Sequence, residues 1–268
     1  MTTAEDLEFR GLSGHLARAA AGNGAAVLLV PFAFGLNQRV RDLAAELAEA
    51  GLTTLIWDPY PGQAPAADHS EVRARSAALK DSTVIDELTT CVDHLIEDEG
   101  ALKVGTIGFC MGGRFNLMHA AVDKRLAAVV PYFPTLIRPM PPHLEVDAVA
   151  VAGSITAPVH LIYAGQDHLT KLDTFLDLQA TLQERDAPTT IQVYPEAEHG
   201  FMDVDGHPEP HNADARAASW PQAVAFLTAQ LAPAQSVTGR PVAAQPVTGQ
   251  PLAGQVGTGQ VGTGQTSS

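Results

Sequence analysis

The chain has 268 residues, of which 46% are hydrophobic, enough to bury the core of one large α/β domain or two small domains. The 30 acidic residues outnumber the 16 basic ones and give a net charge of −14, which disfavours nucleic acid and anionic membranes as partners. No apolar run approaches the length of a membrane span, the N-terminus lacks a signal-peptide pattern, and two cysteines are too few for a disulfide framework. These features predict a cytoplasmic protein.

Hydrophobic patterning predicts alternating strands and helices up to residue 233. Continuous apolar runs are typical of strands covered on both faces, and apolar residues at helical spacing mark the helices between them. In chain order the predicted elements are strand 26–32, helix 40–50, strand 53–57, helix 84–95, strand 103–109, a helix from Met111, strand 127–132, strand 159–163, helix 171–185, strand 191–194 and a last helix from about Ala213. Repeated βα units of this kind predict a mainly parallel sheet with helices on both faces. The proline-rich segment 133–142 is expected to be a connection.

The last part of the chain, residues 234–268, differs in composition from the rest. It repeats short Val-Thr-Gly and Val-Gly-Thr-Gly-Gln units and contains no aromatic residue, no acid and one arginine. Such a segment cannot bury enough apolar surface to offset the entropy lost on ordering. We therefore expect a folded domain over residues 1–233 and a disordered low-complexity tail over 234–268, with a docking or linker role for the tail as the alternative.

Residues 105–113 read Gly-Thr-Ile-Gly-Phe-Cys-Met-Gly-Gly and join a predicted strand to a predicted helix. This is the layout of a nucleophile elbow, in which glycines leave room for the strained backbone of the residue at the apex. Here the apex is Cys110, and the turn puts its sulfur at the N-terminus of the following helix, where the helix dipole favours a thiolate. The alternative is a buried turn cysteine without chemistry. Cys91, by contrast, lies on the apolar stripe of its helix and is expected to be a small core residue.

An acyl-transfer site on this elbow needs a base near the sulfur and an acid that orients the base. In α/β-hydrolases the two follow the nucleophile in the order acid, then histidine, each just after a strand. Asp167 follows strand 159–163 and His199 follows strand 191–194, so they are the predicted acid and base. Asp173 is the alternative acid. His168 is disfavoured as the base because it shares the loop of Asp167.

Metal and cofactor motifs are incomplete in this sequence. The run 199–211 is rich in histidine and aspartate, but a calcium loop that began at Asp203 would have Asp214 where the twelfth position requires glutamate. No histidine pair has zinc-helix spacing, and no glycine-rich phosphate loop follows the first predicted strand. The sequence therefore predicts neither a metal nor a cofactor.

Several motifs together resemble the dienelactone hydrolase family of α/β-hydrolases. They are the cysteine elbow, Ala-Gly-Gln-Asp-His at 164–168, Glu-His-Gly-Phe at 198–201, Phe-Gly-Leu-Asn at 34–37 and Asp-Pro-Tyr at 58–60. The resemblance covers about residues 9–231 and implies the α/β-hydrolase fold. It also implies a triad of Cys110, His199 and Asp167 that hydrolyses lactones or esters through an acyl-cysteine. The implied oxyanion hole is formed by the backbone N–H groups of Met111 and Ala33.

The sequence departs from this family at two places. Where members often carry a glutamate beside the cysteine, this chain has Phe32, and the loss of a like charge favours the thiolate. The basic residue that follows the histidine in members acting on dienelactone is also missing, since Met202 and Asp203 follow Phe201. The arginines that could replace it are Arg73, Arg75 and Arg114. Aromatic residues near predicted strand ends are the expected substrate contacts: Phe32, Phe34, Tyr132 and Phe201.

Together these observations predict a cofactor-independent hydrolase of a small ester or lactone, more apolar than dienelactone. One alternative is a binding protein that keeps the fold but has lost the chemistry, as the missing glutamate would allow. Another is a thioesterase or a dehalogenase-like hydrolase that uses the same triad. The natural substrate and the oligomeric state, monomer or dimer, stay open at this point.

Overall fold

The computed structural model describes residues 2–233, so the predicted disordered tail at 234–268 lies outside the described residues. The strands are β1 (Thr3–Phe9), β2 (Leu12–Arg18), β3 (Ala25–Val30), β4 (Thr53–Trp57), β5 (Lys103–Phe109), β6 (Leu126–Tyr132), β7 (Val159–Gln166) and β8 (Thr189–Glu198). The α-helices are α1 (Gln38–Glu49), α2 (His69–Ala78), α3 (Asp81–Asp93), α4 (Met111–Val122), α5 (Ala148–Val151), α6 (Leu172–Gln183) and α7 (Pro210–Leu231). A π-helical turn, His94–Asp98, extends α3, and a 3₁₀ turn, Ala152–Ser154, extends α5.

The strands form one sheet in the order β1-β2-β4-β3-β5-β6-β7-β8. Strands β3 to β8 run parallel, whereas β1 pairs antiparallel with β2 and β2 pairs antiparallel with β4. One hydrophobic cluster packs α3, α4, α5 and α6 on one face of the sheet, and a second cluster packs α1 and α7 on the other. The mainly parallel sheet with helices on both faces is therefore confirmed. No helix within residues 2–233 is both long enough and apolar enough to cross a bilayer.

The sequence analysis missed the hairpin of β1 and β2. Strand β1 is almost entirely exposed and carries three acidic residues, so it has no apolar pattern that would reveal a strand. The hairpin is attached through β2, which pairs with β4 and buries Leu16 and Ala17. Ion pairs add to this attachment, since Arg10 binds Glu97 and Asp98, and Arg18 binds Glu99. Helix α2 was missed for a similar reason, since it buries one residue.

Parallel strands bring their carboxyl ends to one edge of the sheet, and ligands of such sheets bind at that edge. The elbow follows β5, the predicted acid loop begins at the end of β7, and the predicted base follows β8. The loop after β3, which carries Phe32 to Phe34, and the connection after β6 end at the same edge. The topology therefore gathers the candidate site residues into one region.

Candidate active site

The elbow has the strained geometry expected of it. Strand β5 ends at Phe109 and α4 begins at Met111, while Cys110 between them has φ 57° and ψ −115°. A non-glycine residue rarely adopts a positive φ, and such strain costs roughly 1–3 kcal/mol. A Cβ atom on Gly108 would overlap the backbone carbonyl of Gly112, and a Cβ on Gly112 would overlap the carbonyl of Val30. Glycine is thus required at both positions for α4 to pack against the sheet.

Backbone hydrogen bonds hold the apex in place. The N–H of Cys110 donates to the carbonyl of Tyr132 at 3.1 Å, and the carbonyl of Cys110 accepts from the N–H of Thr135 at 3.0 Å. Both partners lie at the end of β6 or in the connection that follows it. The connection after β6 therefore supports Cys110 from one side.

The predicted acid and base lie in direct contact. Nδ1 of His199 lies 2.7 Å from Oδ2 of Asp167, whose side chain has no exposed surface. The other oxygen, Oδ1, accepts the N–H groups of Leu169 and Thr170, both at 2.8 Å. Three hydrogen bonds fix the carboxylate, and the bond to Nδ1 assigns the imidazole proton to that nitrogen and leaves Nε2 to act as a base.

Neither alternative takes these positions. Asp173, the alternative acid, accepts the N–H of Thr174 at 2.6 Å near the start of α6. His168 is exposed, and its ring centroid lies 5.7 Å from that of His199, edge to face. Cys91 is fully buried in the core, as predicted from its helix face, and burial raises the pKa of its thiol.

The sulfur of Cys110 has a partner that the sequence analysis missed. Sγ lies 3.2 Å from Oγ1 of Thr135, whereas Nε2 of His199 is buried and has no hydrogen-bond partner among residues 2–233. Thr135 belongs to the proline-rich connection 133–142, where no motif marks a site residue. Only the packing of this connection against the elbow could have revealed it.

The electrostatics of the site favour charge separation between sulfur and imidazole. Burial raises the pKa of the Cys110 thiol, but the charge and close approach of the His199 imidazolium, followed by hydrogen bonds from Thr135 and the Met111 N–H, outweigh burial and lower it. Burial likewise opposes protonation of His199, but the Cys110 thiolate and Asp167 raise its pKa to about 10. Each charge stabilises the other, so a thiolate–imidazolium pair is favoured near neutral pH.

Of the two predicted oxyanion-hole residues, Met111 follows Cys110 directly, and Ala33 lies in the loop after β3. Met111 is the first residue of α4, so its N–H is unpaired within the helix and reaches the sulfur of Cys110. Ala33 is half-buried and packs against the same core cluster as Cys110. Its loop is closed by the N–H of Gly35, which donates to the carbonyl of Phe32 at 2.9 Å. The oxyanion hole itself stays a prediction.

The aromatic residues predicted to contact substrate are mostly buried. Phe34 is 45% exposed, but the other three have almost no exposed surface: Phe32, Tyr132 and Phe201. Phe32 stacks on Phe109 with centroids 5.0 Å apart, and Phe133 packs edge to face on both His199 and Phe201 at 5.3 and 5.0 Å. Phe133, which was not among the predicted contacts, is thus the one of these rings that packs against the imidazole. The substrate contacts themselves stay a prediction.

The arginines considered as anion anchors have other partners. Arg114 is buried and donates to both oxygens of Asp81 at 2.7 and 2.5 Å, and to the carbonyl of Val146 at 2.9 Å. Arg75 pairs with Glu71 on the same helix, and Arg73 is exposed. Arg114 therefore anchors α4 and is not available to bind a substrate carboxylate.

A separate cluster of Glu198, His207 and Glu209 has ligand atoms within 4.8 Å of one another, which is the spacing of a divalent-cation site. The carboxylates already have protein donors, however. Nδ1 of His207 lies 3.2 Å from Glu198, and Nδ2 of the buried Asn212 donates to Glu198 and Glu209, at 3.0 Å each. The run 199–211 considered in the sequence analysis contains His207 and Glu209 but stops short of Glu198. These hydrogen bonds give the cluster a structural role beside His199.

Comparison with known proteins agrees with the resemblance noted in the sequence. The model of the dienelactone hydrolase family matches residues 12–231. A carboxymethylenebutenolidase of Rhodococcus opacus is 30% identical over 215 residues, which cover 77% of this chain and 81% of that protein.

Solved structures agree on the fold. A dienelactone hydrolase-like promiscuous phosphotriesterase from metagenomic libraries superposes with a TM-score of 0.70 at 23% identity, covering 85% of this chain and 98% of that one. A dienelactone hydrolase from Anabaena variabilis superposes with a TM-score of 0.62, also at 23% identity, covering 86% and 98%. At this level of identity the structures establish the α/β-hydrolase fold, while the family model and the Rhodococcus relative establish the family. The chain is a hydrolase that belongs to the dienelactone hydrolase family.

Proposed function

We propose that the chain hydrolyses a small carboxylic ester or lactone without a cofactor, with Cys110 as nucleophile, His199 as base and Asp167 as the acid that orients it. The observation that carries the proposal is the His199–Asp167 contact of 2.7 Å, which leaves Nε2 buried and unpaired among the described residues beside an elbow cysteine. Membership of the family supports hydrolysis as the reaction type. An activated thiol needs a reducing compartment, so we place the enzyme in the cytoplasm.

In the first half-reaction, the Cys110 thiolate attacks the carbonyl carbon of the ester and forms a C–S bond. The electron pair of the C=O bond moves to oxygen, and the N–H groups of Met111 and Ala33 stabilise this oxyanion. When the oxyanion collapses, the bond to the alcohol oxygen breaks, and that oxygen takes the proton from Nε2 of His199. The products of this step are an acyl-cysteine and an alcohol, which in a lactone stay joined as one molecule.

In the second half-reaction, Nε2 of His199 takes a proton from water as the water oxygen attacks the acyl-cysteine carbonyl. The same two N–H groups hold the second oxyanion. Its collapse breaks the C–S bond and releases the carboxylic acid, and Cys110 leaves as a thiolate beside the imidazolium. The resting ion pair is thereby restored, and Asp167 stabilises the imidazolium whenever it forms.

The substrate that we infer has a neutral acyl group. Arg114 is held by Asp81, Arg75 by Glu71, and Met202, which follows the histidine motif, is fully buried. The protein also carries a net charge of −14, which disfavours approach of an anion. These features favour uncharged esters and lactones over substrates that carry a carboxylate.

A matched pair of activated esters tests both parts of the proposal. Both p-nitrophenyl butyrate and mono-p-nitrophenyl succinate carry a four-carbon acyl group, and they differ in one carboxylate. We expect multiple turnovers with a higher kcat/KM for the butyrate, and loss of turnover in Cys110→Ala. A single stoichiometric release of nitrophenol, or equal turnover by Cys110→Ala, would contradict the enzymatic assignment. A preference for the succinate would contradict the neutral acyl group alone.

A further inference from the structure

The resting sulfur of Cys110 is directed at a hydroxyl group. The distance from Sγ to Oγ1 of Thr135 is 3.2 Å, and within residues 2–233 this is the hydrogen bond that the Thr135 hydroxyl makes. Nε2 of His199, which has to exchange protons in the proposed reaction, makes no hydrogen bond in the same range. Thr135 therefore lies against the sulfur at hydrogen-bonding distance, beside the charge of His199.

We propose that Thr135 is a positioning residue of this site: its hydroxyl donates a hydrogen bond to the Cys110 thiolate and stabilises the charged sulfur until an ester binds. This inference rests on the proposed function, because it assigns a role within the same site. A thiolate has no proton to give, so in the ion-paired state the hydroxyl must be the donor. A hydrogen bond to an ionised acceptor is roughly twice as strong as one between neutral groups.

The charge balance of the site agrees with this direction of donation. Thr135 is one of the groups that lower the pKa of Cys110, together with the charge of His199 and the N–H of Met111. Burial acts in the opposite sense and is the largest single influence. Removal of one donor from a thiolate that is already desolvated should therefore raise the pKa of the thiol measurably.

The backbone on both sides of Thr135 is held by one residue, Thr170. The hydroxyl of Thr170 donates to the carbonyl of Pro134 at 2.6 Å and accepts from the N–H of Leu136 at 2.8 Å. The N–H of Thr170 donates to Oδ1 of Asp167 at 2.8 Å. The loop that carries Thr135 is thus joined through Thr170 to the carboxylate that contacts the imidazole.

During the reaction Thr135 keeps its proton. As the ester binds, the sulfur leaves the hydroxyl and forms the C–S bond, and the leaving oxygen takes its proton from Nε2 of His199. When the acyl group has been released, the thiolate returns to Thr135. The hydroxyl therefore acts on the resting state and on the charge of the nucleophile, and not on proton transfer.

The test compares Thr135→Val, which keeps the shape and removes the hydroxyl, with Thr135→Ser, which keeps the hydroxyl. The pKa of the thiol is read from thiolate absorbance in the ultraviolet, titrated against pH with Cys110→Ala as the blank. We expect Thr135→Val to raise the pKa by about one unit, since a hydrogen bond to a charged group is worth that much. Thr135→Ser should stay close to the wild type. The acid limb of kcat/KM for p-nitrophenyl butyrate should move with the thiol pKa.

An unchanged midpoint in Thr135→Val, or the same shift in Thr135→Ser as in Thr135→Val, would overturn the assignment. If Thr135→Val does not fold, as judged by its melting midpoint, Thr135→Ala removes the same hydroxyl without a branched side chain and replaces it. The titration needs no turnover. A shifted pKa in a protein that hydrolyses no ester would therefore refute the proposed function and leave the role of Thr135 standing.

Discussion

Replacement of Asp167 by asparagine should prevent His199 from acting as a base, because it moves the imidazole proton from Nδ1 to Nε2. Oδ1 of Asp167 accepts two backbone N–H groups at 2.8 Å, and these leave one orientation open to an amide, with its oxygen toward Leu169 and Thr170. The amide NH₂ would then face Nδ1 of His199 at the place of the present 2.7 Å contact. Two donors cannot share a hydrogen bond, so the imidazole proton must move to Nε2, the atom that has to act as the base.

The expected loss of kcat/KM can be estimated from what a general base and its orienting aspartate contribute. A positioned general base contributes about 10²-fold to 10⁴-fold, and loss of the orienting aspartate from a serine triad costs about 10⁴-fold. A thiol ionises more readily than a hydroxyl, so acylation should suffer less, and we expect kcat/KM to fall about 10²-fold to 10³-fold. By transition-state arithmetic this is about 3–4 kcal/mol.

The assay is the initial rate of p-nitrophenyl butyrate hydrolysis, with melting midpoints to show that each variant is folded. Asp173→Asn is the matched control, because that carboxylate lies near the start of α6 and accepts the N–H of Thr174. It should retain nearly full activity. A loss of less than about tenfold in Asp167→Asn, or an equal loss in Asp173→Asn, would refute the reasoning.

Three further predictions concern the elbow, the buried ion pair and pH. Gly112→Ala should destabilise the fold by about 3 kcal/mol or more in a denaturant titration, because its Cβ would overlap a strand β3 carbonyl. Gly153→Ala, with ordinary contacts, should have little effect, and equal stability of the two variants would contradict this. Arg114→Met should cost about 3–5 kcal/mol at pH 7 by leaving the Asp81 carboxylate buried and unpaired. Although burial raises the pKa of Asp81, the guanidinium of Arg114 lowers it overall. The stability that the ion pair contributes is therefore present above the pKa of Asp81 in the unfolded chain, and it is lost as the pH falls through the lower pKa of Asp81 in the folded protein. A stability defect that persists unchanged in acid would contradict this. Finally, kcat/KM should have an acid limb below the usual pKa of a thiol and an alkaline limb near the His199 pKa of about 10, and an acid limb at or above about 8.5 would contradict the ion pair.

The strand–turn–helix order around Cys110 could be predicted because glycine spacing, apolar runs and chain order are all local properties. The same holds for Asp167 and His199, which follow parallel strands whose carboxyl ends must meet at one edge of the sheet. Thr135 could not be predicted, since its contact with the sulfur joins segments 25 residues apart through a connection without periodicity.

Two other features were also hidden from sequence reasoning. The exposed strand β1 is held by backbone pairing with β2, which requires no hydrophobic pattern in β1. The burial of Phe32 and Phe201 depends on how a loop turns after its strand, and both rings have almost no exposed surface. Sequence patterns thus predicted the course of the backbone more reliably than the burial of side chains at strand ends.

The central claim is that acyl transfer occurs on the sulfur of Cys110. Intact-protein and peptide mass spectrometry after rapid acid quench of a reaction with a slowly deacylating p-nitrophenyl ester tests it directly, with Cys91→Ala as the matched control. The account predicts one acyl group, mapped to Cys110, present in the wild type and in Cys91→Ala and absent in Cys110→Ala. An acyl group on another residue, or continued turnover by Cys110→Ala without an adduct, would contradict it.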